Sequence, residues 1–171
     1  MKERTGIVTI HGNPLTLLGP ELKPGDKAPD FTLTDNELGP KTLADFAGRV
    51  LILSAVPSLD TPTCDLETRR FNTEAAGLGA DIKILTVSMD LPFAQKRWCG
   101  AAGAEAVVTL SDYKTAGFGE AYGVLIKELH LLARAVFVVD RAGVIKHVEI
   151  VKELASEPDY AAILSAARAL A

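Results

Sequence analysis

Apolar positions along the chain fall into short runs of two kinds, continuous and alternating. Arg49–Pro57 (RVLILSAVP) is almost unbroken, and Ile82–Met89 (IKILTVSM) is similar. Runs of this length read as strands covered on both faces. Asp30–Thr34 (DFTLT) alternates apolar with polar residues and reads as a strand, and Val107–Leu110 as a short one. Ala135–Val139 and Val144–Val151 read as two strands joined by the turn Asp140-Arg141-Ala142-Gly143. Near the start, Ile7–Ile10 and Leu15–Leu18 flank His11-Gly12-Asn13-Pro14, which predicts a hairpin. Helical segments are expected over Pro62–Leu78, Leu91–Cys99 and Pro158–Leu170. For the second, Asp90 is the expected N-cap and Gly100 the stop.

The order is strand–helix–strand early, then a hairpin, then a helix. This predicts an α/β sandwich with a mixed sheet and helices on both faces. With 171 residues and no linker, repeat or low-complexity tract, residues 1–171 are expected to form one domain. A net charge of -4 and the lack of a basic run argue against nucleic acid or an anionic membrane as partner. No apolar run reaches the roughly 18 residues of a membrane helix. The opening residues MKERTGIVTIHG carry no secretory pattern. The expected location is cytoplasmic.

Two cysteines are present, Cys64 and Cys99. In a reducing compartment such a pair is catalytic, redox-active, or simply two buried thiols. Cys64 lies in the first turn of a helix that follows a buried strand, with Thr61 as natural N-cap and Pro62 at the first helical position. Cys64, Phe71, Ala75 and Leu78 share one helix face, so the thiol is expected to point inward. Leu66 is out of phase with that stripe.

Nucleophilic chemistry requires the thiolate, and a free cysteine has a pKa of about 8.5. A helix N-terminus contributes roughly 0.3–1 kcal/mol to an anion, less than one pKa unit. Asp60, Asp65 and Glu67 oppose ionisation. A cation nearby shifts a pKa by roughly 1–3 units, so one is required. Arg69 and Arg70 are the local candidates and Arg134 the distant one. Cys99 lies toward the end of its helix, where the dipole disfavours an anion, with Lys96 and Arg97 in partial compensation. Cys64 is therefore the expected attacking thiol.

Pro57, Thr61 and Cys64 spell P-x-x-x-T-x-x-C. This resembles the active-site signature of the peroxiredoxins, which share a thioredoxin-like fold: a central mixed β-sheet flanked by helices. SLDTPTC, LPFAQKRWC, Phe118–Lys127 (FGEAYGVLIK), LLARAVFVVD and the N-terminal hairpin are similar to the bacterial thiol peroxidase branch, atypical two-cysteine peroxiredoxins. The resemblance implies that Cys64 attacks the peroxide and Cys99 resolves the sulfenic acid in the same chain. It also implies that the Thr61 hydroxyl bonds thiolate and peroxide, that Arg134 supplies the cation, and that Pro57 shields the thiolate. It implies hydrogen peroxide and organic hydroperoxides as substrates, thioredoxin as reductant and a homodimer.

Two alternatives remain open from the residues. One is a thioredoxin-type thiol–disulfide oxidoreductase, although Thr61 stands where C-x-x-C would place its first cysteine. The other is a binding protein with a non-catalytic redox switch. No metal is expected: His11, His130 and His147 are scattered, and the cysteines lack zinc-ligand spacing. No cofactor is expected either, because no G-x-G-x-x-G or P-loop pattern occurs.

Overall fold

A computed structural model describes residues 1–104 and 106–171. The strands are β1 (Glu3–Ile10), β2 (Asn13–Leu18), β3 (Thr32–Thr34), β4 (Pro40–Thr42), β5 (Val50–Ala55), β6 (Ile82–Ser88), β7 (Val108–Ser111), β8 (Leu125–Ile126), β9 (Leu131–Leu132), β10 (Ala135–Val139) and β11 (Ile145–Ile150). The helices are α1 (Pro62–Ala75), α2 (Pro92–Ala102), α3 (Gly117–Ala121) and α4 (Tyr160–Arg168), with a 3₁₀ turn at Leu43–Phe46.

The main sheet has the order β11-β10-β5-β6-β7-β3-β4. β5, β6 and β7 run parallel, joined through α1 and α2, while β10 lies antiparallel against β5. All six residues of β5 are buried. Val50 and Ile52 face α1, α2 and α4, packing with Phe71, Trp98 and Ile163. Leu51 and Leu53 face the other side, where Phe118, Tyr122 and the hairpin residues Val8 and Leu17 close the core. One strand thus serves two cores, which is why its sequence shows no alternation.

The second sheet, β1-β2-β8-β9, starts with the N-terminal hairpin. His11 and Gly12 form its turn at φ 49° and 81°. Positive φ at both positions fits the strand twist of a two-residue hairpin. Buried Arg4 pins the hairpin down through the carbonyls of Gly19 and Gly123. The stretch Phe118–Lys127 forms α3 and β8, and its Phe118 and Tyr122 rings stack at 4.3 Å.

The second helix departs from expectation. It extends to Ala102, and Gly103, at φ 65°, ends it instead of Gly100. Gly103 takes the left-handed conformation that a helix stop requires, whereas Gly100 continues the helix. Asp90 does not cap it, because its carboxylate accepts bonds from Ser58 Oγ (2.7 Å), Leu59 N–H (2.8 Å) and Ser88 Oγ (2.8 Å). The N-cap position is Leu91, without a side-chain bond. Asp90 instead ties the loop after β5 to the end of β6.

The α1 face is organised as its spacing predicts. Phe71 is fully buried and meets Tyr160 edge-on at 5.4 Å, while Leu66 is 57% exposed. Phe71→Ala is expected to cost about 3–5 kcal/mol, and Leu66→Ala within about 0.5 kcal/mol. Urea unfolding of reduced protein measures both, and equal costs would contradict this packing.

Candidate active site

The site forms where β5 ends. Ala55 pairs with Ala135 across the β5/β10 ladder, so the residue before β10, Arg134, lies beside the loop leading into α1. That loop carries Pro57, which is buried, and Thr61. Thr61 caps α1: its Oγ1 accepts the Cys64 N–H at 3.2 Å and its hydroxyl donates to Ser58 O at 3.1 Å. Both of these bonds are to backbone. Cys64 then falls in the first turn with no solvent exposure.

Arg134 is 1% exposed. Its Nη1 donates to Cys64 Sγ at 3.4 Å and to Glu67 Oε2 at 2.6 Å. Its Nε and Nη2 both donate to the Leu154 carbonyl, at 3.0 and 2.7 Å. The guanidinium is thereby held by its planar fork on one carbonyl, leaving one end for the sulfur and the carboxylate. Arg69 and Arg70 do not reach the site, being exposed and paired with Asp65 and Glu74 on their own helix. Burial opposes the Arg134 charge, but Cys64 and Glu67 outweigh it and raise the guanidinium above its ordinary value.

Glu67, which the sequence marks only as a charge opposing ionisation, is the partner of Arg134. It is fully buried, and its Oε1 accepts from Ser54 Oγ at 3.1 Å. Its signal was present: it lies three residues after Cys64, on the same helix face. Burial pushes its carboxyl up to about 7, against the opposing pull of Arg134 and Ser54. The Leu154 carbonyl was missed, and no side-chain pattern announces it.

A cavity of about 270 Å³ opens beside the site. Ile10, Pro57, Pro62, Leu129, Leu131, Leu154 and Ala155 make it largely apolar, and His11, Thr61, Thr63 and Arg134 are its polar members. The hairpin tip thus reaches the mouth. Glu153 fastens it there, accepting from Thr9 Oγ1 (3.0 Å), Gly12 N–H (2.9 Å) and Ala155 N–H (3.1 Å).

Cys99 lies apart from this arrangement. Its Sγ is 3.4 Å from Thr109 Oγ1, which donates to Asn36 Oδ1 at 3.0 Å. It lines a different cavity, of about 390 Å³, with Asn36, Lys41 and Thr109. Both cysteines are free thiols. The structure thus brings Pro57, Thr61, Cys64 and Arg134 together and leaves Cys99 on the neighbouring helix. Among the described residues, no group of three or more His, Cys, Asp or Glu is placed to hold a metal. None of their helices is long and apolar enough to cross a membrane.

The Redoxin family model matches residues 23–164. A thiol peroxidase of Bacillus subtilis is 55% identical over 163 residues, 95% of this chain and 97% of that protein. A thiol peroxidase of Streptococcus pneumoniae is 54% identical over 164 residues, 96% of this chain and 100% of that protein. The crystal structure of a peroxiredoxin-like protein from Aquifex aeolicus superposes with a TM-score of 0.91 at 40% identity, covering 98% of each chain. Similarity of this extent, over a fold whose β5/β10 register delivers an arginine to a buried cysteine, establishes that the chain belongs to the redoxin family, in its thiol peroxidase branch.

Proposed function

We propose that Cys64 is the thiol that reduces the peroxide, that Cys99 resolves the product as an intramolecular disulfide, and that thioredoxin reduces that disulfide. The observation that carries this reading is the Arg134 Nη1 contact to Cys64 Sγ at 3.4 Å, with both side chains buried. Electrostatic attraction is strong there, because few water dipoles compete.

The Cys64 thiolate attacks one peroxide oxygen. The O–O bond breaks, and water or an alcohol leaves after taking up a proton. Sulfur is oxidised to a sulfenic acid. Arg134 stabilises the thiolate and then the charge that builds on the leaving oxygen. The Thr61 hydroxyl, which donates to Ser58 O at rest, turns toward the peroxide as substrate enters. Pro57 lines the mouth and limits water. Cys99 thiol then condenses with the sulfenic acid, releasing water, and a dithiol returns both cysteines to thiols by exchange.

The largely apolar cavity supports organic hydroperoxides as substrates beside hydrogen peroxide. Leu66, Leu91 and Phe93, which are 57%, 52% and 65% exposed on α1 and around the start of α2, support a homodimer. We take residues 1–171 as one catalytic unit, working in the cytoplasm, where a thiol reductant is at hand. A thioredoxin-type oxidoreductase fits less well, because the Thr61 hydroxyl occupies the helix cap that its first cysteine would hold.

NADPH consumption with thioredoxin and its reductase is expected to require peroxide and to vanish in Cys64→Ser. Insulin reduction without peroxide would favour the oxidoreductase instead. Arg134→Lys keeps a charge but loses the fork on Leu154. It is expected to slow Cys64 alkylation at pH 7 in a Cys99→Ser background by about tenfold or more. A rate within about twofold of the parent would remove Arg134 from the reaction.

Glu67 generates a pH prediction. Its folded-state pKa of about 7 lies above the 4.5 of the free group, so the folded chain binds this proton more tightly than the unfolded one. The resulting stability is full below about 4.5 and is lost as pH rises through about 7. The urea midpoint of the wild type, relative to Glu67→Gln, is therefore expected to fall between pH 5 and pH 8. A constant difference would contradict the assignment.

A further inference from the structure

We propose that the hydrogen bond between Trp98 and Asp65 is a latch that sets how fast Cys99 reaches oxidised Cys64. It thereby sets how the sulfenic acid divides between disulfide formation and further oxidation. This inference rests on the reading that Cys64 and Cys99 form a disulfide.

The two latch residues adjoin the two cysteines in sequence. Asp65 directly follows Cys64, and Trp98 directly precedes Cys99. Trp98 Nε1 donates to Asp65 Oδ1 at 2.8 Å. Arg69 Nε donates to the other carboxylate oxygen at 2.9 Å, and its guanidinium carbon lies 5.7 Å from the centre of the Trp98 ring. The indole is only 8% exposed and packs in the core shared by α1, α2 and α4. One donor and one carboxylate thus clamp the first turn of α1 to the last turns of α2.

The two sulfurs meanwhile face different surroundings. Cys64 meets Arg134, and Cys99 meets Thr109 beside a separate cavity. A disulfide requires Cα atoms within roughly 4.4–6.8 Å and Cβ vectors that converge. For Cys99 Sγ to leave Thr109 and meet Cys64, α2 has to turn or unwind at its neighbour Trp98, and the bond to Asp65 breaks. Opening is therefore opposed by a hydrogen bond to a charged group, which changes an equilibrium by about tenfold or more.

Two fates then compete. Cys99–SH and Cys64–SOH give the disulfide and water. Alternatively, Cys64–SOH meets a second hydroperoxide, which oxidises it to the sulfinic acid and leaves as the alcohol or water. The second fate needs the closed, folded site with Arg134 in place. The first needs it open. A stronger latch lengthens the life of the sulfenic acid and favours the sulfinic product. Trp98 is in this sense a positioning residue for the resolving step and touches no reacting atom.

Trp98→Phe keeps a large aromatic ring and removes the donor, and Asp65→Asn keeps an acceptor but removes its charge. Each variant and the wild type is turned over with thioredoxin, its reductase and excess cumene hydroperoxide, then read by intact mass and peptide mapping. The sulfinic fraction per turnover is expected to fall about tenfold in Trp98→Phe and less in Asp65→Asn. Rapid mixing is expected to show disulfide formation accelerated to match, with the first peroxide step of Trp98→Phe, which alters no charge beside Cys64, within about twofold of wild type. A slower first step with an unchanged partition would mark mere destabilisation and overturn the latch. A wild-type Cys64–Cys99 disulfide peptide with unchanged partition in both variants overturns the latch alone. Absence of that peptide in the wild type overturns the disulfide reading with it.

Discussion

A single buried cation is shared by a thiol and a carboxyl. The Arg134 guanidinium is held on the Leu154 carbonyl by two bonds, and its remaining end touches both Cys64 Sγ and a Glu67 carboxylate oxygen. A buried guanidinium compensates one full negative charge, and a second anion beside it, out of contact with solvent, is expensive. Burial pushes the Glu67 carboxyl up to about 7, against the opposing pull of that guanidinium.

The fold exists around this point in a definite sense. β5 delivers the loop with Pro57 and Thr61, and its pairing with β10 delivers Arg134. Asp90 braces that loop from the end of β6. The hairpin contributes through Glu153, whose carboxyl is held down at about 2 by backbone N–H groups of Gly12 and Ala155. Glu153 directly precedes Leu154, and the Leu154 N–H donates to Thr9 O at 3.0 Å. The carbonyl that orients Arg134 thus belongs to a residue whose own N–H is fastened by the N-terminal strand. The hairpin serves the site as well as the core.

Much of this was legible in the sequence because it rests on local rules. The apolar run through Leu53 announced a doubly covered strand. Thr61 and Pro62 announced a helix start, and the phase of Cys64 with Phe71 announced a buried thiol. The need for a cation followed from magnitudes, since a helix dipole alone contributes too little. The unread parts depend on long-range placement. Glu67 was counted as a charge acting against the thiolate, because a glutamate on a buried face makes sense only once Arg134 is seen opposite. Asp90 looked like a cap because nothing local revealed that Ser58 and Leu59 would claim it. Gly100 looked like a stop because glycine often is one, but the chain reaches its left-handed residue three positions later, at Gly103. The short pieces β8 and β9 carry no periodic signal of their own and form by pairing with each other and with the hairpin.

The pairing of the buried Glu67 carboxyl with the Arg134 guanidinium is most directly tested by infrared difference spectroscopy of the reduced protein across neutral pH, with Glu67→Gln as the assignment control. A protonated carboxyl band from Glu67 is expected, disappearing as pH rises through about 7. Arg134→Met, which removes the cation that holds this carboxyl down, is expected to move that titration to higher pH. A Glu67 carboxyl already fully ionised at pH 5, or a titration indifferent to Arg134, would contradict the pairing.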